Sequence, residues 1–366
     1  MERMTKNFIE MARILSPSGN EKKLGDYLIK KLRKFSDEIL RDENGNIIVK
    51  INGNKNTNPF LLSAHLDTVK TSKKPIIKIE KDKIKTENKA ILGADCKAGI
   101  AIIIELVKTL FENKIPHPPL ELVFTVGEEV GLLGSSKLNK QMLNSKFGLV
   151  LDNEKSVENV VIKSVGVDNF EIEIKGKAAH SGVDPEKGIS AIKIMAKIID
   201  KIDTGRLSKN TTLNIGFIEG GNGINIVPEK TKIKGEIRGF DRKEMDKIEK
   251  TIDKIVKQTI KRQKHINGSP NYFYKITKRF DCFSIKPNNP FIKTLKKSYL
   301  KNGIIPNFTK SFGGTDANSF YRMGIITPNI PTGMKNVHSD EEYLDLSEFK
   351  KSFEIILTLI KELGRE

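Results

Sequence analysis

A histidine and an aspartate stand two positions apart at the end of an apolar run, and both residue types serve in metal sites. The run covers residues 59–64 and leads into His65, Leu66 and Asp67. Because side chains alternate along a strand, His65 and Asp67 would point to the same side. The carboxylate would then hold one imidazole nitrogen while the other nitrogen faces a cation. On this pattern alone, a purely structural histidine stays an alternative.

Carboxylates also stand at the ends of two later apolar runs. Glu128 and Glu129 follow residues 120–126, and Asp152 follows residues 147–151. Two adjacent glutamates repel each other unless a cation lies near. In extended backbone their side chains point in opposite directions, so one would bind a metal while the other faces substrate.

Asp95 and His338 complete the set of candidate ligands. Asp95 lies in the glycine-bracketed segment 93–99 at the start of a predicted helix, where simple helix capping is the alternative. His338 precedes the last predicted helix. Two histidines and three carboxylates suit a pair of zinc-like ions that share one carboxylate. Such ions activate a water, and the remaining glutamate would pass its proton to a leaving nitrogen, which is amide hydrolysis.

The elements that carry these residues alternate between strands and helices through residues 1–164. This order predicts an α/β domain with a mostly parallel sheet and helices on both faces. Ligands of such sheets gather at the carboxyl ends of the strands. The candidate histidine and carboxylates that follow apolar runs all fall at such ends, which favours one common site.

From residue 165 the apolar positions change to a period of two, which is typical of half-exposed antiparallel strands. The order of predicted elements becomes β-α-β-β-α-β, the split ferredoxin-like unit of an α+β domain. Its helices are predicted over 189–202 and 243–262, and three of its strands over 211–219, 230–239 and 272–280. We therefore expect a catalytic domain of residues 1–164 and 283–366, with residues 165–282 inserted as a separate small domain.

The charge of the chain raises a different class of function. Its formal net charge of +18 would suit nucleic acid or a membrane surface. The lysines, however, are spread along the chain and mixed with glutamates, and no arginine-rich arm with interleaved aromatic residues occurs. No apolar run approaches the roughly 18 residues of a membrane span. We therefore expect neither a nucleic-acid nor a membrane partner.

The N-terminal segment lacks the apolar core of a secretory signal, and the only cysteines are Cys96 and Cys282. Both features predict a cytoplasmic protein with free thiols. Two histidines match no motif. His117 lies among prolines and His265 in a basic segment, so both are predicted to be solvent-exposed.

Taken together, four motifs resemble one known family over nearly the whole length and in the same order. They are His-x-Asp, Gly-Ala-Asp-x-Lys-Ala-Gly, Glu-Glu-x-Gly and Val-His-Ser. The family is that of the dinuclear zinc peptidases and acylases, which includes tripeptidase T, carboxypeptidase G, aminoacylase and succinyl-diaminopimelate desuccinylase. The Gly-Thr-Asp-Ala sequence at residues 314–317 and the Ala-His-Ser-Gly sequence at residues 179–182 indicate its peptidase T-like branch.

The resemblance implies two divalent metal ions, with zinc expected and cobalt or manganese as alternatives. His65 and Asp152 would bind one ion, and Glu129 with His338 would bind the other. Asp95 would bridge them.

The resemblance also implies roles for residues around the ions. Glu128 would be the general base, and Asp67 would orient His65. The family's bridging aspartate precedes a cis peptide bond, which would here join Asp95 to Cys96. A cysteine at this place departs from the family's commoner aspartate or glycine.

Four further residues correspond to substrate-binding positions of the family. His180 would help to hold the oxyanion of the tetrahedral intermediate. Asn225 would bind the same intermediate, and the fork of the Arg238 guanidinium would bind a substrate carboxylate. Gly314 belongs to the glycine-rich substrate loop. Taken without the family, His180 is a surface residue, Asn225 a turn residue and Arg238 a surface cation.

The leading functional hypothesis is a metallopeptidase that releases the N-terminal residue from short peptides, because an inserted lid closes over small substrates only. An N-acyl-amino-acid or desuccinylase-type amidohydrolase is the alternative with the same metals and base. From other classes, a basic nucleic-acid-binding protein and a non-catalytic paralogue are both disfavoured, the latter because all expected ligands and the base are present. By resemblance the inserted domain would also form a homodimer, for which the strand at 211–219 offers an edge.

Overall fold

The computed structural model describes residues 2–53, 57–263 and 268–365. The chain forms two compact units, one made of Met1–Ser164 with Phe283–Glu366 and the other of Val165–Cys282. Among the described residues, no helix is long and apolar enough to cross a membrane. His265, which was predicted to be solvent-exposed, lies outside the described residues.

The first part of the chain alternates between helices and strands, as its apolar pattern predicts. In chain order these elements are α1 (Glu2–Ala12), α2 (Lys22–Leu32), β1 (Glu38–Arg41), β2 (Ile47–Ile51), β3 (Phe60–His65), β4 (Ile77–Glu80), β5 (Lys83–Thr86), α3 (Ala94–Glu112), β6 (Leu120–Thr125), α4 (Leu133–Lys137), β7 (Phe147–Asn153) and β8 (Asn159–Ser164).

The second unit follows without interruption. Its elements are β9 (Gly166–Lys175), α5 (Ala191–Ile199), β10 (Gly205–Arg206), β11 (Thr211–Gly220), β12 (Lys230–Gly239), α6 (Arg242–Lys261) and β13 (Asn271–Phe280). The strands form one antiparallel sheet in the order β10-β11-β12-β9-β13, against which α5 and α6 pack. This is the predicted α+β ferredoxin-like arrangement, with the short β10 added at one edge.

The chain then returns to the first unit. The remaining elements are β14 (Phe283–Ser284), α7 (Pro290–Lys301), β15 (Asn307–Ser311), α8 (Asp316–Arg322), β16 (Asn329–Pro331), β17 (Met334–Lys335), β18 (Tyr343–Asp345) and α9 (Leu346–Leu363). The main sheet has the order β1-β2-β6-β3-β7-β16-β8-β14, and β15 pairs with β8. Its central neighbours β6, β3, β7 and β16 run parallel, which confirms the predicted mostly parallel sheet.

Helix α3 forms the centre of the larger core. Its residues 100–104 are all apolar and fully buried, and a helix that is apolar on every side belongs in a core. It packs on β3 and β7 and contacts α1 and α9. Gly99 permits its close approach to β7, because a Cβ at that position would lie 2.4 Å from the carbonyl oxygen of Leu151. The N-terminal end of α3 is thereby held against the carboxyl end of β7.

His117 corrects one expectation. It was predicted to be solvated because prolines surround it, yet only 6% of the residue is exposed. Its Nδ1 lies 2.8 Å from the carbonyl oxygen of Pro118, and its ring packs near that of Phe111. The hydrogen bond to the Pro118 carbonyl and the contact with Phe111 hold the imidazole away from solvent.

Candidate metal centre

The parallel register brings strand ends to one level. His65 at the end of β3 pairs with Thr125 at the end of β6, and Ser63 of β3 pairs with Val150 of β7. Counting two residues onward along both strands, Asp152 lies level with His65. The turn that carries the paired glutamates begins directly after β6. The predicted convergence of strand-end side chains follows from this register.

Asp95 reaches the same place from the start of α3. Its ψ of 106° and the φ of 71° at Gly93 are not helical, and the bond from Asp95 to Cys96 is cis, as the resemblance implied. His65 Nε2 lies 2.9 Å from Asp95 Oδ1, and His338 Nε2 lies 3.1 Å from Asp95 Oδ2. Each oxygen of this one carboxylate therefore faces a different histidine.

Two groups of potential ligand atoms share this aspartate. Within each group all the atoms lie within 4.8 Å of one another. Further separations are 3.6 Å from His65 Nε2 to Asp152 Oδ1 and 2.9 Å from His338 Nε2 to Glu129 Oε2. The first group consists of His65, Asp95, Cys96 and Asp152, and the second of Asp95, Glu129 and His338. Apart from Cys96, these are the five residues predicted as metal ligands.

The thiol of Cys96 has another partner. Its Sγ donates a hydrogen bond to the carbonyl oxygen of Leu151 at 2.7 Å, and burial raises the pKa of the thiol well above its usual value. A cysteine binds metal as the thiolate. Cys96 is therefore better suited to fix the loop against β7 than to bind an ion.

The electrostatics of the cluster suit cations. Burial, followed by the charge of Asp95, raises the pKa of Asp152 well above its usual range. Hydrogen bonds to Asp95 and Glu129 raise the pKa of His338 to about 10. The negative charge of the cluster therefore favours protonation of Asp152 and of His338. Divalent ions would neutralise the same charge, and imidazole nitrogens with carboxylate oxygens are the donors that zinc-like ions accept.

Glu128 belongs to neither group of ligand atoms. Burial and then the charge of Asp152 raise its pKa well above the usual value of a glutamate. It lines a cavity of about 170 Å³ whose wall also includes Gly314, Thr315 and Asn329. A carboxylate with a raised pKa is a better proton acceptor near neutral pH. Gly314, predicted to contact substrate, thus borders the same cavity as Glu128.

Asp67 contacts more of the site than its predicted role of orienting His65 requires. The nearest atom to His65 Nδ1 is the main-chain oxygen of Asp67 at 2.9 Å, and the carboxylate lies 3.5 Å away. That carboxylate instead accepts hydrogen bonds from the main-chain N–H groups of Glu128 and Glu129, at 3.0 and 3.1 Å, and from the Ser18 hydroxyl at 2.7 Å. Asp67 therefore fixes both the histidine and the glutamate turn.

Two residues that hold ligands in place were missed from the sequence. Glu342, which is 2% exposed, accepts hydrogen bonds from the main-chain N–H groups of Gly93 at 2.9 Å and Asp95 at 3.1 Å. The Asn329 side chain accepts from the main-chain N–H of Asp152 and donates to its carbonyl oxygen. Glu342 follows His338 by four positions in the Val-His-Ser segment, which is the one sequence signal that could have found it.

The second unit contains the other predicted substrate-binding residues. His180 and Asn225 are exposed and lie close together, since the N–H of Ser181 donates to the carbonyl oxygen of Asn225 and His180 bridges to Ile226. Arg238 on β12 instead forms an ion pair with Glu236 at 2.8 Å. The contacts of this unit thus join two of the three residues.

Comparison with known proteins identifies the family of the chain. The model "Peptidase dimerisation domain" (M20_dimer) matches residues 162–264, and "Peptidase family M28" matches residues 46–181. The crystal structure of aminopeptidase PepT from Bacillus cereus is 31% identical, with a TM-score of 0.90 over 99% of this chain and 98% of that one. The chain belongs to the M20 peptidase family.

Two other relatives of this M20 peptidase are similar to it over their whole length. A tripeptidase structure from Staphylococcus aureus has a TM-score of 0.92 and 27% identity, over 100% of this chain and 99% of that one. The uncharacterized protein YqjE of Bacillus subtilis is 32% identical over 100% of this chain and 99% of its own length. The chain is therefore a metal-dependent peptide hydrolase of the peptidase T-like group.

Proposed function

We propose that this M20 peptidase is a zinc aminopeptidase that releases the N-terminal residue from short peptides. The single observation that carries the proposal is the shared Asp95, whose two oxygens lie 2.9 and 3.1 Å from the histidines of two separate ligand groups. Relatives named aminopeptidase PepT and tripeptidase support the choice of peptide substrates. The nitrogen and carboxylate donors support zinc, with cobalt and manganese as the next candidates.

The donor set suggests how two ions would be held. His65 and Asp152 would bind one, Glu129 and His338 the other, and Asp95 both. When bound, such a pair polarises a substrate carbonyl and lowers the pKa of a water to near neutrality.

The residues of the chain supply the proton transfers. Glu128 accepts the proton of the attacking water and then donates it to the nitrogen of the leaving peptide. Its raised pKa makes it a stronger base than an ordinary glutamate. Asp67 holds the main chain of Glu128 in place throughout.

The proposal keeps substrate-binding roles for His180, Asn225, Arg238 and Gly314. The cavity has a volume of about 170 Å³, which supports small substrates. Alanine variants at the first three positions test these roles through KM and kcat for a tripeptide. Unchanged constants would remove the residue concerned from the proposal.

One observation favours a second candidate, an N-acyl-amino-acid amidohydrolase. Lys155 lines the same cavity, and its ammonium would suit the free carboxylate of a succinyl group. Assays of zinc-, cobalt- and manganese-loaded protein on tripeptides, N-acetyl-amino acids and N-succinyl-amino acids separate the two. Release of the N-terminal residue from tripeptides is expected. Turnover of only the acylated compounds would replace the aminopeptidase by the amidohydrolase.

Assembly and location belong to the same proposal. The match to a peptidase dimerisation domain over residues 162–264 supports a homodimer, which light scattering tests directly. The described cysteines, Cys96 and Cys282, are both free thiols, which supports a cytoplasmic location.

A further inference from the structure

The cavity at the metal centre contains two charged side chains that the proposed chemistry does not use. Seven charged or titratable residues line it. Four of these are metal ligands in the proposal above, and a fifth, Glu128, is the base. The two that remain are neighbours of opposite charge, Glu154 and Lys155.

The main chain of this pair is firmly placed. The Asn153 side chain accepts a hydrogen bond from the N–H of Lys155 at 3.0 Å and donates one to the carbonyl oxygen of Asn159 at 2.9 Å. The carbonyl oxygen of Glu154 accepts from the Lys335 ammonium at 3.1 Å. A segment tied at three points presents its side chains from a fixed position.

The side chains themselves differ in what they contact. The Lys155 ammonium donates to the carbonyl oxygen of Lys310 at 3.2 Å. Within the part of the chain that the structure describes, the Glu154 carboxylate makes no hydrogen bond and no ion pair. Glu154 is an exposed residue at the edge of the cavity, and its carboxylate is unpaired among the described residues.

A peptide with a free N-terminus carries an α-ammonium group, which a carboxylate such as that of Glu154 can bind. Its α-ammonium lies on the carbon next to the scissile carbonyl, so a substrate whose carbonyl reaches Glu128 places the ammonium in the same small cavity. An ammonium taken from water without an acceptor loses its hydration and gains nothing in return. The carboxylates committed to the metals are neutralised by them and are poor partners.

We propose that Glu154 binds the α-ammonium of the substrate and so selects peptides with a free N-terminus over N-acylated ones. This inference rests on the proposed aminopeptidase function. It adds the residue that recognises the substrate's free end, and it predicts that loss of the charge affects substrate binding more than catalysis.

The test compares zinc-loaded wild type, Glu154→Gln and Glu158→Gln. Glu158 carries the same change on the same loop and does not line the cavity, so it is the matched control. The substrates are trialanine and N-acetyl-trialanine. For Glu154→Gln we expect KM for trialanine to rise by about 10- to 100-fold, the factor for a lost charge-assisted hydrogen bond, with kcat within about threefold. The KM of the control should stay unchanged.

A binding measurement makes the result independent of turnover. Calorimetry gives the Kd for trialanine in the Glu128→Gln variant with and without Glu154→Gln. The added substitution should raise this Kd by the same factor. Zinc content and melting temperature should stay at the values of the Glu128→Gln variant. An unchanged KM and Kd would overturn the inference and leave the aminopeptidase intact. Loss of zinc would overturn it by making Glu154 a metal ligand. A wild type that cleaves only acylated substrates would overturn both proposals together.

Discussion

At the residue scale, the proposal assigns metal binding and proton transfer to different side chains. His65 and His338 each lie within hydrogen-bond distance of Asp95, whereas Glu128 belongs to neither ligand group. A side chain in the cavity that is not a ligand can change its protonation state without releasing an ion. We therefore propose that metal binding and proton transfer belong to different side chains.

Glu128→Gln tests this separation. The amide cannot accept the proton of water, so kcat for a tripeptide should fall by about 10²- to 10⁴-fold. Zinc content, measured by elemental analysis, should stay at the wild-type value because no ligand is removed. A variant with near-wild-type kcat would contradict the assignment of Glu128 as the base.

Glu342→Gln tests a residue that touches the ligand loop from outside. The main-chain N–H groups of Gly93 and Asp95 each donate a hydrogen bond to one oxygen of the carboxylate. An amide has only one oxygen, so its NH₂ group would face one of these two donors. Zinc affinity, measured by competition with a chromogenic chelator, should weaken by about 10- to 100-fold, as for other residues that support metal ligands. Glu341→Gln is the matched control, since its side chain is exposed. Equal affinities for the two variants would remove Glu342 from the site.

At the element scale, strand ends and loops differ in how far sequence reveals them. His65, Glu128 and Asp152 were predicted together because each directly follows an apolar run that forms a buried strand. Glu342 and Asn329 act on Asp95 and Asp152 across separations of 247 and 177 residues. No local pattern marks such contacts, because they arise from packing of distant elements.

Helix boundaries show the same limit. The last helix, Leu346–Leu363, is capped by Asp345 and has a clear apolar period along its whole length. The apolar run of helix α3 begins at residue 100, but the helix itself starts at Ala94. The intervening small and polar residues carry no apolar period, and their position is set by the site instead.

Helix α6 of the second unit provides a pH-dependent prediction. Its Arg242 forms ion pairs with Asp168, Asp246 and Glu249. Two cations, Arg242 and the more distant Lys278 at 3.7 Å from Asp246, face these three carboxylates, and burial followed by Asp168 raises the pKa of Glu249 to about 7. The folded protein thus holds this proton more tightly than the unfolded chain does.

The stability that the protonated Glu249 contributes is fully present below its ordinary pKa of about 4.5 and is lost as pH rises through about 7. Glu249→Gln stays neutral, so its melting temperature should exceed that of the wild type by more at pH 8 than at pH 5. Calorimetric scans at both pH values measure the difference. Glu244→Gln on the same helix is the control, and an equal difference at both pH values would contradict the prediction.

At the scale of the whole molecule, metal should stabilise the fold. The ligands come from positions between His65 and His338, so ions would join segments that are distant in the chain. A ligand that binds only the folded state stabilises it by about 2.7 kcal/mol at 100 times its Kd.

Chelation should therefore lower the melting temperature, and added zinc should restore it. Differential scanning fluorimetry before and after dialysis against a chelator measures the shift. His65→Ala removes a ligand and should show a smaller response to zinc than the wild type. A melting temperature that changes with neither chelator nor zinc would indicate that the described cluster binds no ion.

The pairing of His65 with Thr125 across β3 and β6 has a practical consequence for preparing this protein. A slip of one residue between these strands would turn the imidazole to the opposite face of the sheet. Mispaired chains would then be unable to load metal even if they were compact and well dispersed. The amount of zinc bound per mole of refolded protein should therefore report the fraction of correctly assembled molecules. The total protein concentration, by contrast, includes the mispaired molecules as well.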